Sequence, residues 1–159
     1  MLLSIVEQCH PVNLLAPAAD AAGRTGAYVN AATACKVHVR VHITQGNAAT
    51  ILLSLLQATA AAGTGSKAGP TAQIWANLDT AAGDTLVRVA TDASTYTTDA
   101  GVKLKYVIFE FDASLLDVAN GFQYFTVSTG ASNVANITEA TAEYIGLRYQ
   151  QATPVTVVT

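Results

Sequence analysis

Four β-branched residues, Val37, Val39, Val41 and Ile43, alternate without exception with Lys36, His38, Arg40, His42 and Thr44. That period of two is the mark of a strand with one buried face and one wet or contacting face. Gln45-Gly46-Asn47 supplies a turn, since Gly and Asn tolerate positive φ. The apolar run 49–57 then returns. Leu and Ala favour helix, but a continuous apolar run directly after a hairpin turn describes a strand covered on both sides, and Ile51 to Gln57 is read as strand rather than helix.

The same reading continues along the chain. Strands are expected at 72–78, 86–90, 104–111, 122–128 and 140–149, separated by loops rich in Gly, Thr, Asn and Asp. In 104–111, Lys105, Val107, Phe109 and Phe111 share one face, with Leu104, Tyr106, Ile108 and Glu110 on the other. Residues 112–117 suggest one helical turn capped by the Asp112 carboxylate, and Asn120-Gly121 is a turn dipeptide. Seven or eight short strands with no βαβ alternation make the expected fold all-β: an antiparallel β-sandwich, jelly-roll-like. Residues 1–33 differ in composition. Pro11, Pro17 and the small residues of 18–26 suit an extended N-terminal arm or edge element. The expected organisation is an arm over 1–33, a sandwich over 34–150 and a tail over 151–159.

Charge narrows the function classes. Only 12% of the 159 residues are charged, against ~25% in ordinary soluble domains, and the formal net charge is −3. Eight Lys and Arg spread along the chain form no stripe for gripping phosphates, so a nucleic-acid partner is not expected. Alanine supplies 30 of the apolar residues, which inflates the 51% hydrophobic content of a core of ordinary size. No run approaches the ~18 uncharged apolar residues of a spanning helix, and the N-terminus lacks a basic leader. A soluble chain made in the cytosol is expected, with Cys9 and Cys35 as free thiols.

The search for chemistry returns no catalytic residues, no metal and no cofactor. His38 and His42 share a strand face, but four residues at ~3.4 Å each hold them ~13 Å apart, too far for one ion. Gly63-Thr64-Gly65-Ser66-Lys67 lacks the Ser/Thr and helix that follow the lysine of a phosphate loop. The loop acids Asp79, Asp84, Asp92 and Asp99, with Glu110, Asp112 and Asp117, read as capping and solubilising groups. Of the aromatic residues, only Tyr96 and Trp75 look available for a sugar platform.

Several stretches in order carry a resemblance: Val6-Glu7-Gln8, Leu14-Leu15-Ala16-Pro17-Ala18-Ala19-Asp20, Leu56-Gln57-Ala58-Thr59, Gly63 to Lys67, the long Val107 to Asp117, and Leu147-Arg148-Tyr149. Over about residues 6 to 149 the chain resembles a family of small structural proteins encoded beside the major capsid protein in tailed bacteriophages. The resemblance implies a head decoration, or cement, protein on the outer surface of an icosahedral virion capsid, with the major capsid protein and sister copies as partners and no membrane or nucleic acid. The expected contact residues are Lys36, His38, Arg40 and His42 on the polar strand face, with Leu14 and Leu15 in the arm. A tail or fibre protein and a carbohydrate-binding module are the alternative readings.

Overall fold

The computed structural model describes residues 9–146 and 158. Twelve strands form two antiparallel sheets packed face to face: β1 (Cys9–Ala19), β2 (Arg24–Thr25), β3 (Val29–Asn30), β4 (Lys36–Gln45), β5 (Leu52–Ala58), β6 (Lys67–Ala68), β7 (Gln73–Asn77), β8 (Val87–Arg88), β9 (Thr95–Thr97), β10 (Leu104–Asp112), β11 (Tyr124–Thr129) and β12 (Asn136–Ile145). Sheet A runs β1-β12-β4-β10-β7-β8. Sheet B centres on β11 and β5. It is flanked by β2 and β3 beside β11, and by β6 and β9 beside β5.

The pairing is nested. β1 pairs with β12, β2 and β3 with β11, β4 with β10, and β5 with β6, as though one long hairpin had been rolled up. The lateral pairs β4·β12 and β5·β11 close the roll into two sheets. That is the jelly-roll connection, with β7, β8 and β9 as an excursion between β6 and β10.

The core follows from the alternation. Val37, Val39, Val41 and Ile43 of β4 point inward beside Val107, Phe109 and Phe111 of β10, and meet Leu53, Leu55, Phe125 and Val127 of sheet B. Phe111 and Phe125 make an edge-to-face contact across the two sheets, with centroids 5.4 Å apart; such pairs add about 0.5–1.5 kcal/mol beyond area burial. Tyr144 is fully buried and donates its hydroxyl to the Asn30 carbonyl at 2.6 Å, and burial pushes its pKa up. The run 52–58 is a strand, covered inside by the core. Most of the alanine excess lies in exposed loops, while Ala140 and Ala142 are buried against β4.

The first strand corrects the expected arm boundary. Residues 9–33 carry β1 to β3 and belong to the sandwich; residues 1–8 lie outside the described residues. Two bulges explain the misreading. Between Asn13 and Leu15, β1 advances two residues while β12 advances one, so the consecutive Leu14 and Leu15 both turn inward. The second bulge, between Leu15 and Ala18, absorbs Pro17, where a missing N–H costs no ladder bond. The composition therefore marks an edge strand. Two smaller differences concern the helical turn and the last strand. Ala113–Leu115 is a 3₁₀ turn in which Asp112 makes no side-chain cap; the Ala113 N–H is satisfied instead by the Cys35 carbonyl at 3.0 Å. The final strand begins earlier than expected, at Asn136; Leu147 to Tyr149 lie outside the described residues, as does the tail apart from Val158.

Candidate functional site

The sandwich presents two broad outer faces, and their chemistry differs. On sheet A the outward positions of β4 are Lys36, His38, Arg40 and His42, the residues expected to make contacts. Carboxylates flank them on both neighbouring strands. Lys36 Nζ donates to Glu110 Oε1 at 2.6 Å, and His38 Nε2 lies 3.1 Å from the other oxygen of the same carboxylate. Arg40 Nη2 meets Glu143 at 2.5 Å, and His42 Nδ1 sits 4.0 Å from Glu139 while its ring packs on Tyr106 at 4.4 Å. The hydrogen bond to Lys36 leads in holding the Glu110 carboxyl below the ordinary range, against partial desolvation, and Glu110 in turn raises Lys36. Each basic side chain of the stripe thus has its countercharge within the face, as the strand registers dictate: Glu139↔His42, Glu143↔His38 and Glu110↔His38. The period-two pattern located this stripe, but the cross-strand partners that neutralise it come from residues 70 and 100 positions away.

The outer face of sheet B carries no formal charge at its central strands. Its outward positions are Leu52, Ser54 and Leu56 on β5 and Tyr124 and Ser128 on β11, while Ala58 and Thr126, on the same side, are fully covered within the molecule. Thr95 and Thr97 of β9, Ala68 of β6 and Thr25 of β2 extend it sideways. Leu52 is 43% exposed at its rim. The two central strands, β5 and β11, with the two- and three-residue strands beside them, make a patch of about 350 Å² at ~4.8 Å between strands and ~3.3 Å per residue. Sequence patterning had the signal for this face, since every second residue of both runs is uncharged.

The two remaining expected contacts, Leu14 and Leu15, are 4% and 5% exposed and pack in the core, so they are unavailable at the surface. The bulge that turns both inward is the reason. The aromatic residues are equally dispersed. Tyr96 points inward from β9, half-buried against the core, while Trp75 lies opposite Ile108 on the other sheet, so the two form no common platform.

The polar residues that structure the molecule are others. Asp20, wholly buried, accepts from Arg24 Nε at 3.1 Å, from the Thr129 hydroxyl at 2.7 Å and from the Thr138 hydroxyl. Thr138 belongs to sheet A and Thr129 to sheet B, so this carboxylate ties the two sheets together. Arg24 spends its remaining donors on the carbonyls of Ala16, Ala18 and Thr138. Lys105, on the inward face of β10 as its register requires, is satisfied by Gln45 Oε1 at 2.8 Å, the Asp99 carbonyl at 2.9 Å and the Asp99 carboxylate. Asp99 is held low mainly by that lysine. The loop acids pair likewise: Asp79 with Lys103, Asp92 with Arg88 and Asp117 with Lys67. Lys67 also lies 3.8 Å over the Phe122 ring, which accounts for the lysine of the glycine-rich loop structurally. Cys9 and Cys35 are free.

Among the described residues, no three His, Cys, Asp or Glu side chains stand close enough to hold a metal ion. No helix among them is long and apolar enough to cross a membrane. The most voluminous surface grooves described, about 350 and 430 Å³, are open; the first is lined by Leu104, Ile137 and Pro17 with His42 and Glu139, the second by Leu78, Val87, Val89 and Tyr96.

No family model and no curated protein matches the chain by sequence. Among solved structures, the chain is similar to the SPBc2 prophage-derived protein YomS, with a TM-score of 0.49 at 8% identity over 92% of this chain and 99% of that one.

Proposed function

We propose that this chain is a virion structural protein that decorates and stabilises an icosahedral phage capsid, docking on the major capsid protein through the outer face of sheet B. The observation that carries the reading is the neutrality of the central strands of that face, set against the ion-paired outer face of sheet A. A surface that is to be covered by a neighbour must shed its water, and desolvating a charge costs far more than desolvating a hydroxyl or a methyl group. Fully buried interface centres are accordingly depleted in charge. Ser54 and Ser128 both donate and accept, so they can pair with main chain on a facing surface.

The size of the face supports a decorating role rather than a tight binary complex. At about 350 Å² it is less than half the ~800 Å² that each partner of a standard interface contributes. A contact of that size is weak alone and becomes stable only when one particle engages several subunits at once. The sequence resemblance points to the same class. On this reading the ion-paired face of sheet A remains toward solvent, in place of the contact role expected of Lys36, His38, Arg40 and His42.

Cosedimentation of the purified protein with expanded heads and with precursor shells tests the proposal, together with gold labelling of whole virions. Saturable binding to expanded heads and label on heads are expected. Label confined to tails would replace the reading with the tail or fibre one.

A further inference from the structure

Sheet A has two edges, and they are guarded unequally. On β1 the prolines Pro11 and Pro17 remove donors, the carbonyls of Ala16 and Ala18 are occupied by the Arg24 guanidinium, and the Leu14 carbonyl accepts from Ala27 N–H at 2.9 Å. These are ordinary devices against edge-to-edge pairing. The opposite edge is blunted only by the shortness of β8, Val87–Arg88, and by the Arg88 charge, itself paired with Asp92; over 86–90 it has neither Pro nor Gly, is rich in β-branched residues, and holds Val87 65% exposed.

The hydrogen-bond phase of that edge is fixed. Val89 N–H donates to the Ile74 carbonyl at 2.8 Å, and the register pairs Trp75 with Arg88 and Ala76 with Val87. Val87 and Val89 therefore turn their main-chain groups toward β7, while those of Leu86, Arg88 and Ala90 point away from the sheet.

We infer that a second copy of this chain pairs here, antiparallel, strand β8 against strand β8 about a two-fold axis through Val87. This register is the one the charges favour. It sets each Arg88 opposite Leu86 of the second copy and diagonal to its Asp84, whereas an axis through Arg88 would put the two guanidiniums face to face, which is unfavourable. Leu86 and Arg88 then exchange about four main-chain hydrogen bonds across the axis. Val87 meets its own copy in a non-hydrogen-bonded pair, and the two sheets A become one continuous sheet of twelve strands, six from each copy. The contact is isologous, so it closes at a dimer and does not propagate into fibres. It uses a different surface from the capsid reading and stands or falls without it.

Sedimentation analysis of the full chain up to about 1 mM, with cysteine trapping, tests this. A reversible shift to twice the 16.4 kDa chain mass is expected. Arg88→Pro removes an outward-pointing donor together with the exposed Asp92 ion pair and should abolish the dimer while leaving thermal unfolding of the monomer cooperative, whereas Arg88→Ala, which removes the ion pair alone, should still dimerise; Arg88→Asp, which sets an acid diagonal to Asp84, should weaken dimerisation at least threefold. In the proposed register the Val87 Cα atoms lie ~4.5 Å apart, within disulfide range. Val87→Cys should therefore oxidise to a covalent dimer well above the level formed by wild type, which retains Cys9 and Cys35, or by Val102→Cys, which is equally exposed elsewhere. A wild-type chain that stays monomeric throughout, an Arg88→Pro variant that still dimerises, or Val87→Cys trapping no better than Val102→Cys would each overturn the inference.

Discussion

The two outer faces of this sandwich are built from strands of the same kind, yet one is laced with charge and the other has none at its centre. Sheet A sets Lys36, His38, Arg40 and His42 between Glu110 on one side and Glu139 and Glu143 on the other. Sheet B offers Leu52, Ser54, Leu56, Tyr124 and Ser128. The inner faces do not differ in this way, since both supply Val, Leu, Ile and Phe to a common core. On the proposed function, what separates the outer faces is the medium each meets. Half-exposed ion pairs are well solvated and nearly neutral in energy where they stand, but expensive to cover. Hydroxyls and methyl groups cost little to cover. A chain with half the usual charge has concentrated what it has on one face and in the loops.

The comparison presupposes that the two faces are held on one rigid body, and the largest effect is expected where that is broken. Asp20→Ala removes the carboxylate that Thr138 of sheet A, Thr129 of sheet B and Arg24 share. Stability should fall by about 2–4 kcal/mol, as measured by urea unfolding, because the buried Thr129 and Thr138 hydroxyls and the partly exposed Arg24 all lose their acceptor. A loss below about 1 kcal/mol would mean the sheets are joined by the core alone.

Next in size is the effect of placing charge on the neutral face. Ser54→Lys and Ser128→Lys sit opposite one another on β5 and β11. Each should lower capsid affinity at least tenfold, about 1.4 kcal/mol, while changing unfolding free energy by no more than about 0.5 kcal/mol. Isothermal titration against expanded heads and parallel denaturation curves separate the two quantities. On sheet A the expectation is reversed. Lys36→Ala or Arg40→Ala should shift capsid affinity less than threefold, and cost under about 1 kcal/mol of stability because these pairs are partly exposed and screened by salt.

The smallest effect concerns acid. Glu110 is held below its ordinary range by Lys36 and, less strongly, by His38. A carboxyl depressed in the folded state binds fewer protons there than in the unfolded chain, so its stabilisation is complete above the unfolded value near ~4.3 and fades as pH falls through the lower folded value. Glu110→Gln should make the stability curve shallower between about pH 5 and pH 3 and leave it unchanged in shape above. Asp99, held low by Lys105, adds a separate fall in the same direction.

Much of this was legible in the sequence, and the limits have physical causes. The alternation of Val37 to Ile43 located β4, and the face assignment of 104–111 put Lys105 inward, where it is buried. The strand at 52–58 was recoverable because the Gly46-Asn47 turn forces a return. Leu14 and Leu15 were misread as surface contacts because a bulge breaks the period of two, and nothing local announces a bulge. Asp20 and Arg24 stand among alanines with no periodic setting, and their partners lie more than 100 residues away in Thr129 and Thr138. The neutralisation of the β4 stripe depends on register with β10 and β12, a long-range property. The neutrality of sheet B was available in the alternate residues of 52–58 and 124–128, but only pairing those two strands turns it into a face.

The measurement that reaches the central claim most directly is head occupancy of Ser54→Lys/Ser128→Lys beside Lys36→Ala/Arg40→Ala, read from cryo-EM density on expanded heads mixed with equal amounts of each protein. The account predicts full density for the sheet A variant and little or none for the sheet B variant. Equal occupancy of the two, or loss confined to the sheet A variant, would contradict it.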